Sequence, residues 1–179
     1  HIRGQVARDL RRAGLPREKV LAAVVRLLER TFIRIGTEEY GRAHESFGLT
    51  TLRDRQVRVR GARLDFSFRG KSGVRHEVAL TDRRLAGIVR HMQDLPGQEL
   101  FQYLADAGEI RAIGSADVND YLRAIAGEAF TSKDFRTWAG TLLCARALAR
   151  LEAPASQTAA RREIVQADAG APQALRNTP

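Results

Sequence analysis

Three basic residues lie in three separate local patterns of the sequence, each where it could reach a phosphate. Arg34 follows the end of a helical pattern, Lys71 lies in the turn of a hairpin, and Arg136 lies in the first turn of a later helix. A guanidinium can bind two phosphate oxygens at once, and an ammonium can also donate a proton to a leaving oxygen. Together they predict a clamp for one phosphate in transition-state geometry. Taken singly, each also fits an ordinary surface cation.

The helix of Arg136 presents a second cation, Lys133, one turn earlier on the same side. Free backbone N–H groups and the helix dipole attract anions to a helix N-terminus, so two cations there favour a phosphate site. The competing interpretation is a solvated basic turn paired with Asp134, and position alone does not separate the two.

Two glycines flank the turn that carries Lys71. Gly70 and Gly73 are expected to supply the unusual backbone angles that a hairpin tip needs. Such a tip can carry a side chain deep into a groove, where the Lys71 ammonium could act as a general acid. The competing interpretation is an exposed turn lysine.

The hairpin belongs to a stretch in which apolar residues recur at every second position, which predicts a three-stranded antiparallel meander over 56–80. One face is aliphatic and aromatic and should pack on helices. Arginines on the other face would repel each other unless an anion covers them, so we expect this face to lie over a polyanion. We call it the arginine face; it comprises Arg58, Arg60, Arg63 and Arg69.

Helical periodicity flanks the meander on both sides. Before it, helices are predicted over 3–13, 17–32 and 37–45. After it, they are predicted over 82–92, from a Ser115 cap, from a Thr131 cap to about 151, and over 156–168, with 99–104 of uncertain type. The residues of the Thr131 helix expected to face the core are Phe135, Trp138, Leu142, Ala145 and Ala149.

These patterns predict an α+β fold, mainly α, in which a helical core packs on a small three-stranded antiparallel sheet. We expect one domain over 1–179, with helical parts at 1–55 and 81–179 around the meander. A hydrophobic content of 44% with 28% charged residues is typical of a folded globular chain. No apolar run approaches the roughly 20 residues that span a bilayer.

The charge is unevenly distributed. The net charge is +9, and the excess lies in residues 1–36, with nine Lys and Arg against three acids, and 53–76, with eight against two. Residues 77–179 hold twelve against thirteen. A localised basic excess favours a polyanion partner, above all nucleic acid, over a basic protein without a specific partner.

Other chemistries find little support. The histidines lack metal-ligand spacing, and the sequence holds neither an HExxH motif nor a phosphate-binding P-loop. His76 alternates onto the apolar side of its strand, which favours a core histidine. Cys144 is the only cysteine, so a disulfide framework or thiolate metal site is excluded.

Five segments resemble the catalytic domain of type IB DNA topoisomerases, above all the compact bacterial and poxvirus-like kind. They occur in the family's order and cover nearly the whole chain. The segments are Arg34-Ile35-Gly36-Thr37-Glu38-Glu39-Tyr40, Gly48-Leu49-Thr50-Thr51-Leu52-Arg53, Phe68-Arg69-Gly70-Lys71-Ser72-Gly73, Leu95-Pro96-Gly97-Gln98-Glu99-Leu100-Phe101 and Lys133-Asp134-Phe135-Arg136-Thr137-Trp138.

The resemblance implies an activity and assigns roles within it. The family cleaves one DNA strand through a 3′-phosphotyrosine and reseals it, relaxing supercoils without ATP or a required metal. By position, Arg34 and Arg136 match the two catalytic arginines, and Lys71 matches the lysine that protonates the leaving 5′-oxygen. Asn177 stands where many relatives have a histidine that donates to a phosphate oxygen. The residues expected to contact DNA are Gly36, Tyr40, Lys133 and the arginine face.

None of the three tyrosines, Tyr40, Tyr103 and Tyr121, matches the family nucleophile. That residue lies about nine positions past the segment of Asn177, so we expect the chain to be a C-terminally truncated fragment, inactive in cleavage on its own. The sequence further predicts double-stranded DNA as partner, no membrane association, no cofactor and no metal. We expect a monomer in the cytoplasm, associated with the nucleoid.

Two alternatives stay open at this point. A tyrosine recombinase or integrase shares the catalytic logic, although the segments at Gly48 and Lys133 favour a topoisomerase. A non-catalytic DNA-binding module would keep the groove without the reaction.

Overall fold

The computed structural model describes residues 1–37, 46–106, 108–127, 129–150, 156–157, 161–162 and 164–165. Within this part of the chain five α-helices and two small sheets form an α+β fold that is mainly helical. The helices are α1 (Ile2–Asp9), α2 (Arg17–Thr31), α3 (Arg83–Gln93), α4 (Ser115–Ala126) and α5 (Ser132–Leu148). The predicted fold class is therefore confirmed.

The meander is present as predicted. Its strands are β1 (Val57–Arg60), β2 (Arg63–Arg69) and β3 (Arg75–Thr81), paired antiparallel in the order β1-β2-β3. Val57 lies opposite Phe66, and Phe66 opposite Val78, so the apolar residues share one face. All four residues of the arginine face are exposed, because a strand of period two turns them away from the core.

Helix α2 is the centre of the core. Nine of its fifteen residues are buried, including Val24 and Leu28, because α1, α4, α5 and the sheet surround it. It begins after Pro16 and ends at Phe32, a residue in the left-handed region with φ 52°. Arg34 lies two residues beyond this ending, in the irregular segment that follows the helix.

Side chains that accept backbone hydrogen bonds fix where the later helices start. Asp82 accepts from Arg84 and Leu85 at the start of α3. At α4 the predicted cap was wrong by one residue, since Gly114 is the N-cap and its N–H donates to Asp117 at 2.9 Å. Helix α5 begins with Thr131 as N-cap, as predicted.

The predicted inward stripe of α5 is wrong. Trp138 is 65% and Leu142 41% exposed, and Ala145 and Ala149 are exposed as well. The start of the helix does pack on the core, through half-buried Phe135 and buried Ala139. Beyond it, no described element covers the apolar side of α5, so helical periodicity alone overestimated its burial.

A second sheet was not predicted. Strand β4 (Gln102–Leu104), which lies within the predicted element of uncertain type over 99–104, pairs antiparallel with β5 (Ile110–Ala112). Three-residue strands are too short to show a period. No helix in the described part of the chain is long and apolar enough to cross a membrane.

Two predicted helices fall mainly outside the described residues. The one over 37–45 is described only at Thr37. In the one over 156–168, positions 157, 161, 162, 164 and 165 are helical.

Candidate active-site cleft

The three basic residues singled out from the sequence meet at one cleft. Arg34 enters it from the segment after α2, Lys71 from the turn between β2 and β3, and Arg136 from the first turns of α5. The cleft has a volume of about 490 Å³. Its lining residues are Arg34, Ile35, Gly36, Thr37, Ser46, Phe47, Gly48, Lys71, Ser132, Lys133, Arg136 and Thr137.

The charge of this lining has one sign. Four of the described lining residues are cationic and none is acidic. Lys133, Arg34 and Lys71 are exposed at the cleft surface, whereas Arg136 is half-buried at its base. A concave surface that holds several cations and no carboxylate concentrates positive potential, which suits a phosphate or another compact anion.

Arg34 is positioned by a neighbouring segment that we call the clasp, residues 48–51. The N–H of Leu49 donates to the carbonyl oxygen of Arg34, and that of Thr50 to Ile35, both at 2.8 Å. The Thr50 hydroxyl also donates toward the carbonyl oxygens of Ile35 and Gly36, at 2.8 and 3.0 Å. The clasp thus holds the carbonyl oxygens of three consecutive residues, Arg34, Ile35 and Gly36.

Two glycines allow the clasp to approach so closely. Gly36 has φ 87°, which residues with a Cβ rarely adopt. A Cβ on Gly48 would lie 2.5 Å from the Gly36 nitrogen and 2.6 Å from the Arg34 carbonyl oxygen. Both neighbours are backbone atoms, so any larger residue at position 48 would push the Arg34 segment away.

The clasp region also connects Arg34 to the hairpin of Lys71. The N–H of Phe47, just before the clasp, donates to the carbonyl oxygen of Arg69 at 2.7 Å. Arg69 is the last residue of β2, two positions before Lys71. One short stretch of chain therefore contacts the backbones next to two of the three cleft cations, so their relative positions are coupled.

The turn that carries Lys71 differs from the prediction in one respect. The left-handed residues of this tip are Ser72, with φ 64°, and Gly73, with φ 72°. Gly70 has φ −96°, so the expectation that it supplies an unusual angle is wrong. Its N–H donates to the carbonyl oxygen of Val74 at 2.7 Å, which closes the turn.

Arg136 is fixed by the end of α2. Its Nη1 donates to the carbonyl oxygen of Phe32, the left-handed residue that ends the helix. Burial, and then the charge of Arg34, lower the pKa of Arg136 to about 10. The guanidinium is therefore charged at neutral pH, but it is held in the cleft against both desolvation and a like charge.

The acid next to these cations belongs to the helix cap. Asp134 accepts from the N–H and the hydroxyl of Thr131, both at 2.8 Å. These hydrogen bonds are the main reason that the pKa of Asp134 is lowered. No ion pair joins Asp134 to Lys133 or Arg136 among the described residues, so the carboxylate stabilises the start of α5 instead of neutralising them.

The arginine face lies apart from the cleft lining. It covers the outer surface of the sheet. Arg60 and Arg63 lie opposite each other on adjacent strands, at the turn between β1 and β2, which is the end of the sheet remote from Lys71. Over the six residues from Arg63 to Arg69, a strand extends roughly 20 Å at about 3.3 Å per residue. The Nε of Arg63 forms an ion pair with Oδ1 of Asp65 at 2.7 Å, which offsets part of the charge of Arg63.

Neither tyrosine in the described part of the chain lines the cleft. Tyr121 is buried between α4 and α1, and its hydroxyl donates to Asp9 at 2.7 Å. Burial, followed by that hydrogen bond, raises the pKa of Tyr121. Tyr103 is half-buried in β4. The remaining predicted site residues, Tyr40 and Asn177, lie outside the described residues.

Sequence reasoning missed several parts of the site. The clasp was noted as a motif, but nothing in its spacing showed that Thr50 binds the carbonyl oxygens next to Arg34. His76 was assigned to the core; it is half-buried, and it lines a small cavity next to Arg34, Lys71 and Arg136. The alternation of β3 correctly predicted that His76 lies on the apolar face of its strand, but only the fold shows that the cleft cations lie next to it.

Comparison with known proteins supplies the family. Residues 1–176 match the family model described as the catalytic core of eukaryotic DNA topoisomerase I. The chain belongs to this topoisomerase family. It is also 27% identical over 169 residues to DNA topoisomerase 1B of Acanthamoeba polyphaga mimivirus. The type IB topoisomerase resemblance seen in the sequence motifs is therefore confirmed at the level of the family.

The match to the viral topoisomerase is unequal in coverage. It includes 90% of this chain and 50% of the relative, so the chain spans about half the length of that protein. The cleft described here lies within the residues that match the family's catalytic core.

Proposed function

We propose that the cleft binds one phosphodiester of double-stranded DNA and stabilises the transition state of its cleavage by a tyrosine. The result would be relaxation of supercoiled DNA without ATP. One observation carries this proposal: Arg34, Lys71 and Arg136 come from three distant parts of the sequence and converge on a cleft whose described lining holds no carboxylate. Membership in the topoisomerase family supports the choice of DNA as the anion.

Each cation has a distinct task in this mechanism. Charge builds up on the non-bridging oxygens as the tyrosine oxygen approaches phosphorus, and Arg34 and Arg136 stabilise it through charge-assisted hydrogen bonds. Lys71 donates a proton to the leaving 5′-oxygen, since an alkoxide is a poor leaving group at neutral pH. Lys133 at the start of α5 contacts a neighbouring phosphate, and Asn177 would supply an uncharged donor to the same phosphoryl group.

The bonds balance without a cofactor. The new bond joins the tyrosine oxygen to phosphorus, and the bond from phosphorus to the 5′-oxygen breaks. The tyrosine proton passes to water, and the Lys71 proton goes to the leaving oxygen. The 3′-phosphotyrosine conserves the energy of the phosphodiester, so the 5′-hydroxyl can reverse the attack once the duplex has rotated.

The nucleophile is not expected to be Tyr103 or Tyr121. Tyr121 is engaged by Asp9, burial raises its pKa, and neither tyrosine lines the cleft. We therefore expect the 179-residue chain to bind duplex DNA without forming a covalent adduct through these residues. A denaturant-stable adduct mapped to either tyrosine would contradict this expectation.

Supercoil relaxation by the full-length protein tests the proposal. We expect relaxation in the absence of ATP, with a covalent protein–DNA adduct after addition of detergent. Arg34→Ala and Arg136→Ala should each slow cleavage by roughly 10²–10³-fold, the usual effect of removing one stabiliser of transition-state charge. Arg11→Ala is the matched control, because Arg11 is exposed just after α1 and does not line the cleft.

Two outcomes would overturn the proposal. One is a full-length protein that binds duplex DNA but neither relaxes nor cleaves it, which would favour the non-catalytic module. The other is an equal, small effect of Arg11→Ala and Arg136→Ala on the cleavage rate, which would remove the cleft from the reaction.

A further inference from the structure

Gly70 must be glycine for a reason other than its backbone angle. Its φ of −96° is accessible to any residue. A Cβ on Gly70 would nevertheless lie 2.5 Å from Cδ2 and 2.6 Å from Nε2 of His76, closer than such contacts occur. The imidazole ring of His76 therefore occupies the space next to the Gly70 Cα.

The His76 ring has little freedom to move aside. His76 is the cross-strand partner of Phe68, and the two rings stack with centroids 5.2 Å apart and an interplanar angle of 15°. Phe68 itself is only 5% exposed and belongs to the hydrophobic core. The core thus supports Phe68, Phe68 supports His76, and His76 lies against Gly70.

This chain of contacts ends at Lys71. Gly70 is the residue directly before it, and two backbone hydrogen bonds of Gly70, to Val74 and from Gly73, close the turn. His76 and Lys71 also line one cavity of about 20 Å³, together with Arg34 and Arg136. Such a volume admits about one water molecule, so the side chains around it are closely packed.

We propose that His76 is a positioning residue for Lys71. Its ring, held on Phe68, packs against Gly70 and so fixes the direction in which the tip carries Lys71 into the cleft. This inference rests on the proposed function, in which Lys71 is the general acid. His76 acts through the shape of its ring and touches no reacting atom. A displacement of Lys71 by about 1 Å would be costly, since misplacements of that size lower rates by roughly 10²-fold.

Gly70→Ala in the full-length protein is the first variant. The added methyl group must displace either the His76 ring or the tip, so cleavage should slow by roughly 10-fold or more. His76→Ala in the same chain removes the obstructing ring and should restore part of the lost rate. The double variant should therefore cleave faster than Gly70→Ala alone, a coupling that independent sites do not show.

Gly73→Ala is the matched control in the same turn. Gly73 has φ 72°, so alanine is strained there, but a Cβ would meet no described atom within 4 Å. Its defect comes from the backbone, and His76→Ala should leave it unchanged.

A second readout separates positioning of the acid from general damage to the tip. In a DNA substrate with sulfur in place of the bridging 5′-oxygen, the leaving group is a thiolate, which departs without protonation. This substrate should restore most of the rate lost in Lys71→Ala, Gly70→Ala and His76→Ala, and little of that lost in Arg136→Ala. If Gly70→Ala does not fold, His76→Ala alone provides the test, with slower cleavage of the oxygen substrate, rescue by sulfur and unchanged DNA affinity.

The outcomes distinguish the two proposals. Sulfur rescue of Lys71→Ala without rescue of Gly70→Ala or His76→Ala would overturn the positioning role and leave the proposed function intact. A double variant no faster than Gly70→Ala, or equal restoration of Gly73→Ala by His76→Ala, would also overturn it. Absence of cleavage by the wild-type protein would overturn both proposals together.

Discussion

At the scale of single residues, Arg34 and Arg136 disfavour each other's charge across the cleft. Burial and Arg34 together lower the pKa of Arg136, which means that its charged form is less stable here than in water. An anion between the two guanidinium groups would reverse that relation, because it attracts both. The hydrogen bond to the Phe32 carbonyl oxygen orients the guanidinium of Arg136. The site is thus preorganised for a charge that arrives only with the substrate.

A different buried charge, Asp9, predicts how stability depends on pH. Asp9 is 2% exposed and accepts hydrogen bonds from Gln5, Tyr121 and Arg12. Burial alone would raise its pKa, but the three donors outweigh burial and lower it below 3.8. A carboxylate with a lowered folded-state pKa stabilises the fold above its unfolded-state value and loses that contribution as pH falls through the lowered value.

We therefore expect the free energy of unfolding to fall as the pH drops below about 4, the ordinary range of an aspartate. Tyr121→Phe should destabilise the chain by about 1–3 kcal/mol at pH 7, since it leaves a buried carboxylate short of one donor. Urea unfolding at pH 7 and over a series of lower pH values measures both effects. The loss from Tyr121→Phe should shrink as the pH falls through the lowered pKa of Asp9, because the carboxylate then becomes protonated.

Tyr103→Phe serves as the comparison, since that hydroxyl does not contact Asp9. Its acid dependence should match the wild type. A Tyr121→Phe protein with the same loss of stability across the whole pH series would show that the hydroxyl does not act through the charge of Asp9.

At the scale of elements, the site depends on how short segments hold one another. Arg34 has no regular secondary structure of its own, because it lies after α2 in an irregular stretch. The clasp supplies the hydrogen bonds that a strand partner would otherwise give, and Thr50 contributes both its backbone and its side chain. Thr50 is buried, at 7% exposed, so water cannot readily replace these contacts.

Replacing Thr50 tests the clasp. Thr50→Val keeps the shape but removes the hydroxyl, and the carbonyl oxygens of Ile35 and Gly36 lose a donor, which should cost about 1–3 kcal/mol of stability. Under conditions where the protein remains folded, cleavage by the full-length protein should also slow, because Arg34 is less well fixed. Thr50→Ser keeps the hydroxyl and should retain most of the rate. Equal rates for the Val and Ser variants would exclude the hydroxyl from positioning Arg34.

The elements also show what could be predicted from the sequence. The meander was predictable because alternation is strict and one face of the sheet is buried, so Val57, Leu64 and Val78 all point inward. The α5 stripe was not, since the exposure of Trp138 depends on whether another element covers it. Periodicity reports the side of a helix that is apolar, whereas burial requires a partner.

The same limit applies to the site. Charge and local pattern were enough to select Arg34, Lys71 and Arg136, which the fold then brings to one cleft. The reason that position 70 is glycine could not be read from sequence, because it depends on a side chain six residues later across a turn. Contacts of this kind depend on the register between strands. A linear pattern predicts the face on which each residue lies, but not the residue opposite it on the next strand.

At the scale of the whole molecule, the basic surface is larger than the cleft. The arginine face covers the outer side of the sheet, and the same β2-β3 hairpin ends in the tip of Lys71. A duplex that places one phosphate in the cleft could therefore also lie along the sheet, where exposed arginines meet its backbone. This arrangement suits binding that is independent of base sequence, because phosphate contacts position a protein without reading bases.

The salt dependence of DNA binding tests this surface in the 179-residue chain itself. Arg60 is exposed, and no hydrogen bond or ion pair engages its side chain within the described residues, whereas Arg63 is paired with Asp65. Each phosphate contact contributes about 0.9 to the slope of log affinity against log salt. Arg60→Ala should thus weaken duplex binding and flatten this slope by roughly one unit. Arg63→Ala should have a smaller effect, because Asp65 already offsets its charge.

Arg11→Ala, which removes the same charge outside both the arginine face and the cleft lining, should leave the slope nearly unchanged. Identical slopes for the wild type and Arg60→Ala would remove the arginine face from the interface, and a loss in Arg11→Ala as large as that in Arg60→Ala would mean that net charge, and not this surface, governs binding.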